Sequence, residues 1–462
     1  MKEVVSESIG RPTGARFPPG PKGSLVLGVM PEFNRDTLAF ITRCREYGDV
    51  VRARFFYITC YFLYNPDDIE YVLSTNAKNF IKSMSVRSNF FHRLIGNGLL
   101  TSEGDFWRRQ RRLAQPAFHR QRISSYGNTM VEYAERMISL WKAGETRDAH
   151  RDMMRLTLEI VAKTLFNADV SGDADRVGRI LADIVKPFAS QATLKWIVDN
   201  RLPTPAHRRF HRLARQIDDI VYRIIEQRRA GGSDEGDLLS MLLQAQDEDG
   251  SQMTDKQLRD EVMTLFLAGH ETTALTLSWA WYLLARHPEA EAKFHAELDE
   301  VLGDRAPTVA DLPRLKYAEL IAKESMRLYP PAYGVGRQAI DECEIGGYRI
   351  TSGSQIFAFS WVTHRDPRFF DEPEGFWPDR WTEEFTNRLP KYAYFPFGGG
   401  PRGCIGNYFA MMEIILVLAT IGRRFKLKLA NRRPVEILPA MSLRPRDGIQ
   451  VVLEHRRSAR NY

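Results

Sequence analysis

The chain predicts a mainly α-helical fold with small β-sheets, an α+β arrangement. Three observations carry this. Helical periodicity dominates from Asp67 to about Glu300. Short β-rich runs are confined to the segments before and after that stretch. Near the C-terminal end, an apolar helix pattern follows directly on a glycine-rich loop that contains a single cysteine. The 462 residues could fill two or three average domains, but no Ser/Gly linker, low-complexity tract or repeat divides them. One domain over residues 17–455 is expected, preceded by a flexible segment 1–16 and followed by a tail 456–462.

In chain order, Met1-Lys-Glu-Val-Val-Ser-Glu-Ser is too polar for a signal peptide or a membrane anchor, and it leads to the proline-rich run Phe17-Pro-Pro-Gly-Pro-Lys22. Val50–Tyr57 and Cys60–Tyr64 are β-rich and end at Asn65-Pro66, the pattern of a hairpin in the main sheet. The helical stretch beyond Asp67 breaks at Leu202-Pro-Thr-Pro205 and at Gly231-Gly-Ser-Asp-Glu-Gly236. Its longest helix is expected from about Thr254 to Arg286, with Thr254 and Gln257 as a capping box and His287-Pro288 as the stop. At 1.5 Å per residue this helix spans roughly 50 Å and must cross the core. Strands return from Ala339, at Glu344–Ile350 and Ile449–Leu453.

Composition narrows the function. With 44% hydrophobic and 27% charged residues the chain can bury a cofactor-sized cavity. Cys44, Cys60, Cys343 and Cys404 show no C-x-x-C spacing, which argues against a zinc site or a disulfide framework and fits a reducing cytoplasm. The 65 basic residues outnumber 58 acidic ones and bunch at Arg108, Arg109, Arg111 and Arg112, and at Arg423, Arg424, Lys426, Lys428, Arg432 and Arg433. No stacking aromatics interleave them, so nucleic acid is not the expected partner.

Three motifs carry chemistry. In Phe397-Gly-Gly-Gly-Pro-Arg-Gly-Cys-Ile-Gly406 the glycines let backbone N–H groups approach the sulfur, and the next helix presents its positive end. Both are expected to lower the Cys404 thiol pKa and make it a ligand. Midway along the long helix, Ala268-Gly-His-Glu-Thr-Thr273 is a polar island between Leu265-Phe-Leu267 and Ala274-Leu-Thr-Leu277. Thr272 can bond the carbonyl of Ala268 and loosen the helix, and Gly269 removes bulk at the same level. Glu324 and Arg327 lie one turn apart, a spacing that also occurs at Glu32/Arg35, Glu226/Arg229 and Glu454/Arg457. What distinguishes the 324/327 pair is the Leu328-Tyr-Pro-Pro331 that follows and the Phe376-Trp-Pro-Asp-Arg-Trp381 ahead of the cysteine loop.

The loop matches the haem-binding signature Phe-x-x-Gly-x-Arg-x-Cys-x-Gly at Phe397, Gly400, Arg402, Cys404 and Gly406. Five fixed letters arise by accident in on the order of one chain in ten thousand of this length. From the proline hinge to the final strands, the chain resembles the cytochrome P-450 superfamily and its soluble bacterial-type members. The resemblance implies haem b (iron protoporphyrin IX) held between the long central helix and the Cys-loop helix, with Cys404 as the metal ligand and Phe397, Gly406 and Ala268 beside the cofactor. It assigns the propionates to Trp107, Arg111, Arg337 and Arg402. Glu271 becomes part of a proton relay, Thr272 the hydroxyl that holds dioxygen and water, and His270 has no part in either. Arg380 joins Glu324 and Arg327 in a structural triad under the cysteine loop.

The reaction implied is monooxygenation, since a thiolate opposite the oxygen site favours O–O cleavage. Only 58 residues follow Cys404, too few for a reductase domain, so a ferredoxin with its reductase, or a flavodoxin, is expected to supply electrons. An acidic partner would be steered to the basic clusters. A cytoplasmic monomer without a membrane anchor is expected, acting on a lipophilic fatty acid, terpenoid, steroid or polyketide. By family analogy its pocket is lined by Ser83–Leu99, Phe188–Leu202, Leu265–Gly269, Pro331–Val335 and Pro439–Leu443. A peroxygenase using hydrogen peroxide and a non-enzymatic haem-thiolate sensor or carrier are the alternatives.

Overall fold

The computed structural model describes residues 16–170, 172, 176–180, 183–184, 204–231, 236–245, 250 and 252–456. The tail from 457, nearly all of the segment 1–16 and the pocket segment Phe188–Leu202 lie outside these residues.

Two short helices, α1 (Met30–Arg35) and α2 (Thr37–Cys44), precede the expected hairpin. Its β-branched and aromatic residues pair β1 (Val50–Phe55) with β2 (Ile58–Leu63) antiparallel, Val50 opposite Leu63. This hairpin is one side of the main sheet, whose order is β1-β2-β8-β5-β3. There, β8 (Gln355–Ala358) runs parallel to β2 and antiparallel to β5 (Val335–Ala339), and β3 (Phe80–Lys82) closes the edge with Lys82 opposite Arg337. A second sheet joins β4 (Thr146–Asp148), β12 (Gln450–His455) and β9 (Phe425–Leu429), and β10 (Ile437–Pro439) pairs with β11 (Leu443–Pro445).

The run Glu344–Ile350, expected as one strand, is instead a hairpin of β6 (Cys343–Ile345) and β7 (Tyr348–Ile350). Gly346 and Gly347 sit at φ +56° and +77°, the left-handed pair that a two-residue turn requires. β3 and β4 also interrupt the helical stretch. Each has three residues and is held by a partner far away in sequence, so local propensity does not reveal it.

The helical part comprises α3 (Pro66–Glu70), α4 (Asn89–Ile95), α5 (Gly104–Ala114), α6 (Arg120–Ser139), α7 (Ala149–Phe166), α8 (Pro205–Gly231) and α9 (Leu238–Gln244). After them come α10 (Asp255–Arg286), α11 (Pro288–Val301), α12 (Lys316–Leu328), α13 (Ser360–Thr363), α14 (Glu383–Arg388) and α15 (Asn407–Gly422). Of the two expected breaks, Pro205 opens α8, a position where its missing N–H costs nothing, and Gly231 ends it. α10 is the 32-residue central helix, and its Thr254/Gln257 capping box is formed. It packs along α7 and against α8, α12 and α15, so it is buried on nearly every side.

α12 places its one-turn pair fully out of water, with Glu324 and Arg327 both 0% exposed. Arg327 clasps the Glu324 carboxylate through Nε at 2.9 Å and Nη2 at 2.8 Å. Arg380 Nε and the Trp381 indole N–H donate to the same carboxylate at 3.0 and 2.9 Å, so the expected triad is present. Arg327 also donates to the carbonyls of His364, Pro373 and Gly375. The triad thus pins the irregular segment that leads from β8 to the cysteine loop.

Candidate active site

The cysteine loop is pressed against what lies behind it. Gly400 is at φ +63°, and a Cβ there would come 1.8 Å from the Leu73 carbonyl oxygen; at Gly399 one would lie 2.3 Å from the Tyr392 ring. Within the loop, Cys404 N–H donates to the Phe397 carbonyl at 2.9 Å and Gly403 N–H to that of Gly400 at 3.0 Å. α15 begins at Asn407, directly behind Gly406. From the facing helix α5, Arg111 Nη1 donates to the Gly403 carbonyl and its Nε to Gln115, both at 3.0 Å.

The Cys404 side chain is accessible, yet it is desolvated by the surrounding protein, so it faces an internal space. Burial pushes its thiol up. The Gly406 N–H and the Arg111 charge pull it down but do not outweigh burial. The loop donor thus acts in the expected direction, but in the metal-free protein burial outweighs it, because loop donors act locally whereas desolvation is set by the whole fold. A bound metal cation supplies the missing term, since coordination deprotonates a thiol outright.

The middle of α10 shows a matching surface. Residues 258–266 and 273–284 are buried, but Ala268 and Thr272, one turn apart on one face, are exposed. Such a face in the middle of a core helix lines a cavity. Thr272 Oγ1 donates to the Ala268 carbonyl at 2.8 Å, as expected, without breaking the helix. His270 is fully buried, with Nδ1 on the Phe266 carbonyl at 2.8 Å.

At the edge of the site a positive cluster forms. Arg402 stacks on Trp107, its guanidinium carbon 3.8 Å from the ring centroid, donates to the Ser102 carbonyl at 2.9 Å and pairs with Glu103. Arg337 is 9% exposed, and its guanidinium donates to the carbonyl of its neighbour Gly336. Lys82, not anticipated from the sequence, stands directly across from Arg337 in the β3–β5 register. Its ammonium donates to the carbonyls of Leu99 and Leu100. Burial and the charges of Arg402 and Arg337 bring it down to about 7. The one signal in the sequence was a lysine closing the apolar run Phe80-Ile-Lys82.

Like charges facing each other across strands are unfavourable unless an anion lies between them. Glu103 is the carboxylate of this group, and Glu261, near Lys82, is pushed by burial up to about 8 and is neutral at neutral pH. With Lys82 protonated, the form a bound anion favours, Lys82, Arg337 and Arg402 against one Glu103 leave a surplus of two positive charges, the charge that two propionates carry. Together with a sulfur facing an internal space, this donor set fits a dianionic haem.

Glu271 is the acid beside Thr272, and it is already engaged. Arg444 donates to its Oε1 through Nε at 2.8 Å and Nη2 at 2.6 Å, and the Ser442 hydroxyl bonds the same oxygen. The β10–β11 hairpin that carries both residues is docked on the site. Leu443 N–H donates to the Pro331 carbonyl and the Tyr333 hydroxyl to that of Ala440, both at 3.0 Å, which joins two of the expected lining segments. The Ser83–Leu99 segment is held on α10 by Asn97 N–H to Asp260 at 2.9 Å and Leu99 N–H to Glu261 at 3.1 Å.

The second basic cluster is less positive than its sequence suggests. Arg423 and Arg424 both pair with Glu135, Lys426 with Glu291 at 3.8 Å and Lys428 with Glu454 at 2.8 Å. Arg432 and Arg433 remain exposed. In the first cluster, Arg108 pairs with Asp105 and Arg111 is turned onto the cysteine loop.

Comparison with known proteins agrees with this geometry. The family profile described as Cytochrome P450 matches residues 18–453. Cyclooctatin synthase of Streptomyces melanosporofaciens is 39% identical over 88% of this chain and 89% of its own. Pentalenene oxygenase of Streptomyces avermitilis is 34% identical over 89% and 92%. The crystal structure of the cytochrome P450DA heme domain superposes with a TM-score of 0.86 at 27% identity, covering 97% of this chain and 99% of that one. Among the described residues no helix is long and apolar enough to cross a membrane. The chain therefore belongs to the cytochrome P450 family and is a haem b monooxygenase that uses dioxygen, a redox partner and a hydrophobic substrate.

Proposed function

We propose that this monooxygenase hydroxylates or epoxidises a cyclic terpenoid, drawing electrons from a separate ferredoxin and its reductase or from a flavodoxin. The observation that carries the substrate class is the set of relatives at 34–39% identity named for terpenoid oxidation, among them cyclooctat-9-en-7-ol 5-monooxygenase at 36%. Among the accessible residues of the joined lining segments, Leu267, Ala268, Ala332, Val335, Ala440 and Met441 are apolar and suit such a molecule.

Bound through Cys404, haem would supply the activation of dioxygen. The protein does the rest. Arg337, Arg402 and Lys82 would hold the propionates, with Trp107 as the platform under Arg402 and Arg111 bracing the loop that carries Cys404. Phe397 and Gly406 fix the two ends of that loop. Ala268 adds only a methyl group to the exposed face of α10. Thr272 spends its hydroxyl hydrogen on the Ala268 carbonyl, so its oxygen accepts from a water or protonated ligand and holds it in place. Glu271 is the adjoining carboxylate that relays protons to that point.

The test is to load the purified protein with haem, reduce it through a ferredoxin and its reductase, and offer cyclic terpene hydrocarbons and alcohols beside fatty acids and steroids. Terpenoids are expected to shift the Soret band and to gain one oxygen atom from labelled dioxygen. Oxidation of only the fatty acids or steroids overturns the substrate class. Thr272→Ala is expected to keep the haem spectrum but to lower product per electron pair by on the order of 10-fold or more, hydrogen peroxide taking the difference. Unchanged coupling would remove Thr272 from the mechanism.

A further inference from the structure

Glu271 follows on from the reading just proposed, because its surroundings are not those of a freely mobile relay group. Neighbouring positions on a helix are turned by about 100°, so Glu271 and Thr272 leave α10 in different directions. Thr272 is exposed to the cavity, while Glu271 is 9% exposed and points to β11. There three donor contacts converge on one carboxylate oxygen: Arg444 Nε, Arg444 Nη2 and the Ser442 hydroxyl. Arg444 Nε also reaches Ser442 Oγ at 3.2 Å. The strand that carries these donors is continuous with the turn at Ala440 and Met441, which borders the expected pocket; Met441 is 37% exposed.

We propose that Arg444 is a positioning residue for proton delivery: with Ser442 it holds the Glu271 carboxylate off the Thr272 face, so the hairpin that borders the substrate also sets where the relay acid stands. This inference rests on the monooxygenase reading and goes beyond it, since it joins two functions in one short β-hairpin. Glu271 reaches the cavity only when the 442–444 strand yields, which ties proton supply to the arrangement of the pocket wall.

The electrostatics give the sign. Burial alone pushes the Glu271 carboxyl up. The Arg444 charge, the Ser442 hydrogen bond and the neighbouring His270 more than offset this and hold it below the ordinary value. The other titratable group facing it is His150 of α7, which burial brings down to about 4 and which bonds Ser278 at 3.1 Å; burial lowers His270 also. Both imidazoles are neutral near pH 7, so neither replaces Arg444 when its charge is removed. In the native protein Glu271 stays ionised throughout the neutral range. Without Arg444, burial wins and the carboxyl titrates at higher pH.

Arg444→Met and Arg444→Lys test this, each with and without Glu271→Gln. In the native protein, product formed per electron pair is expected to be flat with pH across the neutral range. In Arg444→Met it acquires a pH dependence that Arg444→Lys restores to flat and that Glu271→Gln abolishes in the double variant. A second readout is independent of turnover: in infrared difference spectra at neutral pH, haem-free Arg444→Met shows a protonated-carboxyl band additional to those of the native protein, such as that of Glu261, and the double variant lacks this additional band. A uniform loss of coupling at all pH values, with no additional carboxyl band, overturns the proposal and leaves Arg444 a merely structural residue. Should Arg444→Met fail to fold, the infrared difference between native protein and Glu271→Gln decides, because a protonated Glu271 in the native protein at neutral pH contradicts the proposal. Absence of any oxygenation by the native protein would instead refute the underlying monooxygenase reading.

Discussion

Replacing Cys404 by serine is expected to abolish the red-shifted absorbance of the reduced, carbon-monoxide-treated protein and to eliminate oxygenation. A hydroxyl is a poorer electron donor than a thiolate and does not ionise near neutral pH, so the push that favours O–O cleavage disappears even if haem stays in its cavity. Losing an outer partner of a metal ligand costs about 10–100-fold, and losing the ligand itself is expected to exceed about 100-fold. The geometry makes this position unforgiving, because Gly399 and Gly400 press the loop onto Tyr392 and Leu73 and leave no room for it to present a different donor. An unaltered spectrum in Cys404→Ser would refute the assignment of the ligand.

The second large effect is expected far from the chemistry. Glu324→Gln keeps the shape of the side chain but removes the one carboxylate shared by Arg327 and Arg380, leaving two buried guanidinium groups without a counter-charge. Breaking a buried ion group in this way costs about 3–5 kcal/mol, a large share of the stability of a folded domain. Urea denaturation with circular dichroism checks the value, and haem retention on gel filtration checks whether the cysteine loop is still held. A loss below about 1 kcal/mol would show that the triad is not the clamp described here. The contrast with Glu32, which begins the same Glu-x-x-Arg spacing, is instructive. It meets Arg43 at 4.0 Å with both side chains 48% exposed, a pair of the kind that contributes between nothing and about 1 kcal/mol.

The parts of the molecule that were legible in the sequence are those set by neighbours along the chain. The β1–β2 hairpin, the capping box that starts α10, the Thr272 to Ala268 bond and the cysteine loop all depend on residues within a few positions of each other. The Glu324 triad was legible only because a family resemblance supplied its third member. What escaped was set at a distance. Arg444 meets Glu271 only because a C-terminal hairpin folds back onto the central helix. The pairing of Arg423 and Arg424 with Glu135 of α6 likewise joins residues almost three hundred positions apart and reduces the net charge of that cluster. The burial of the Cys404 thiol escaped for the same reason, since a loop shows its hydrogen-bond donors whereas desolvation belongs to the whole fold.

The opposition of Lys82 and Arg337 across β3 and β5 bears on how the protein matures. β3 contributes only three residues to the sheet edge, and one of them is a cation placed against another cation. A dianion bound between them would relieve that repulsion and hold Lys82 in its protonated form. Haem binding is therefore expected to stabilise this edge of the sheet in particular, and its loss to loosen β3 before the strands behind it.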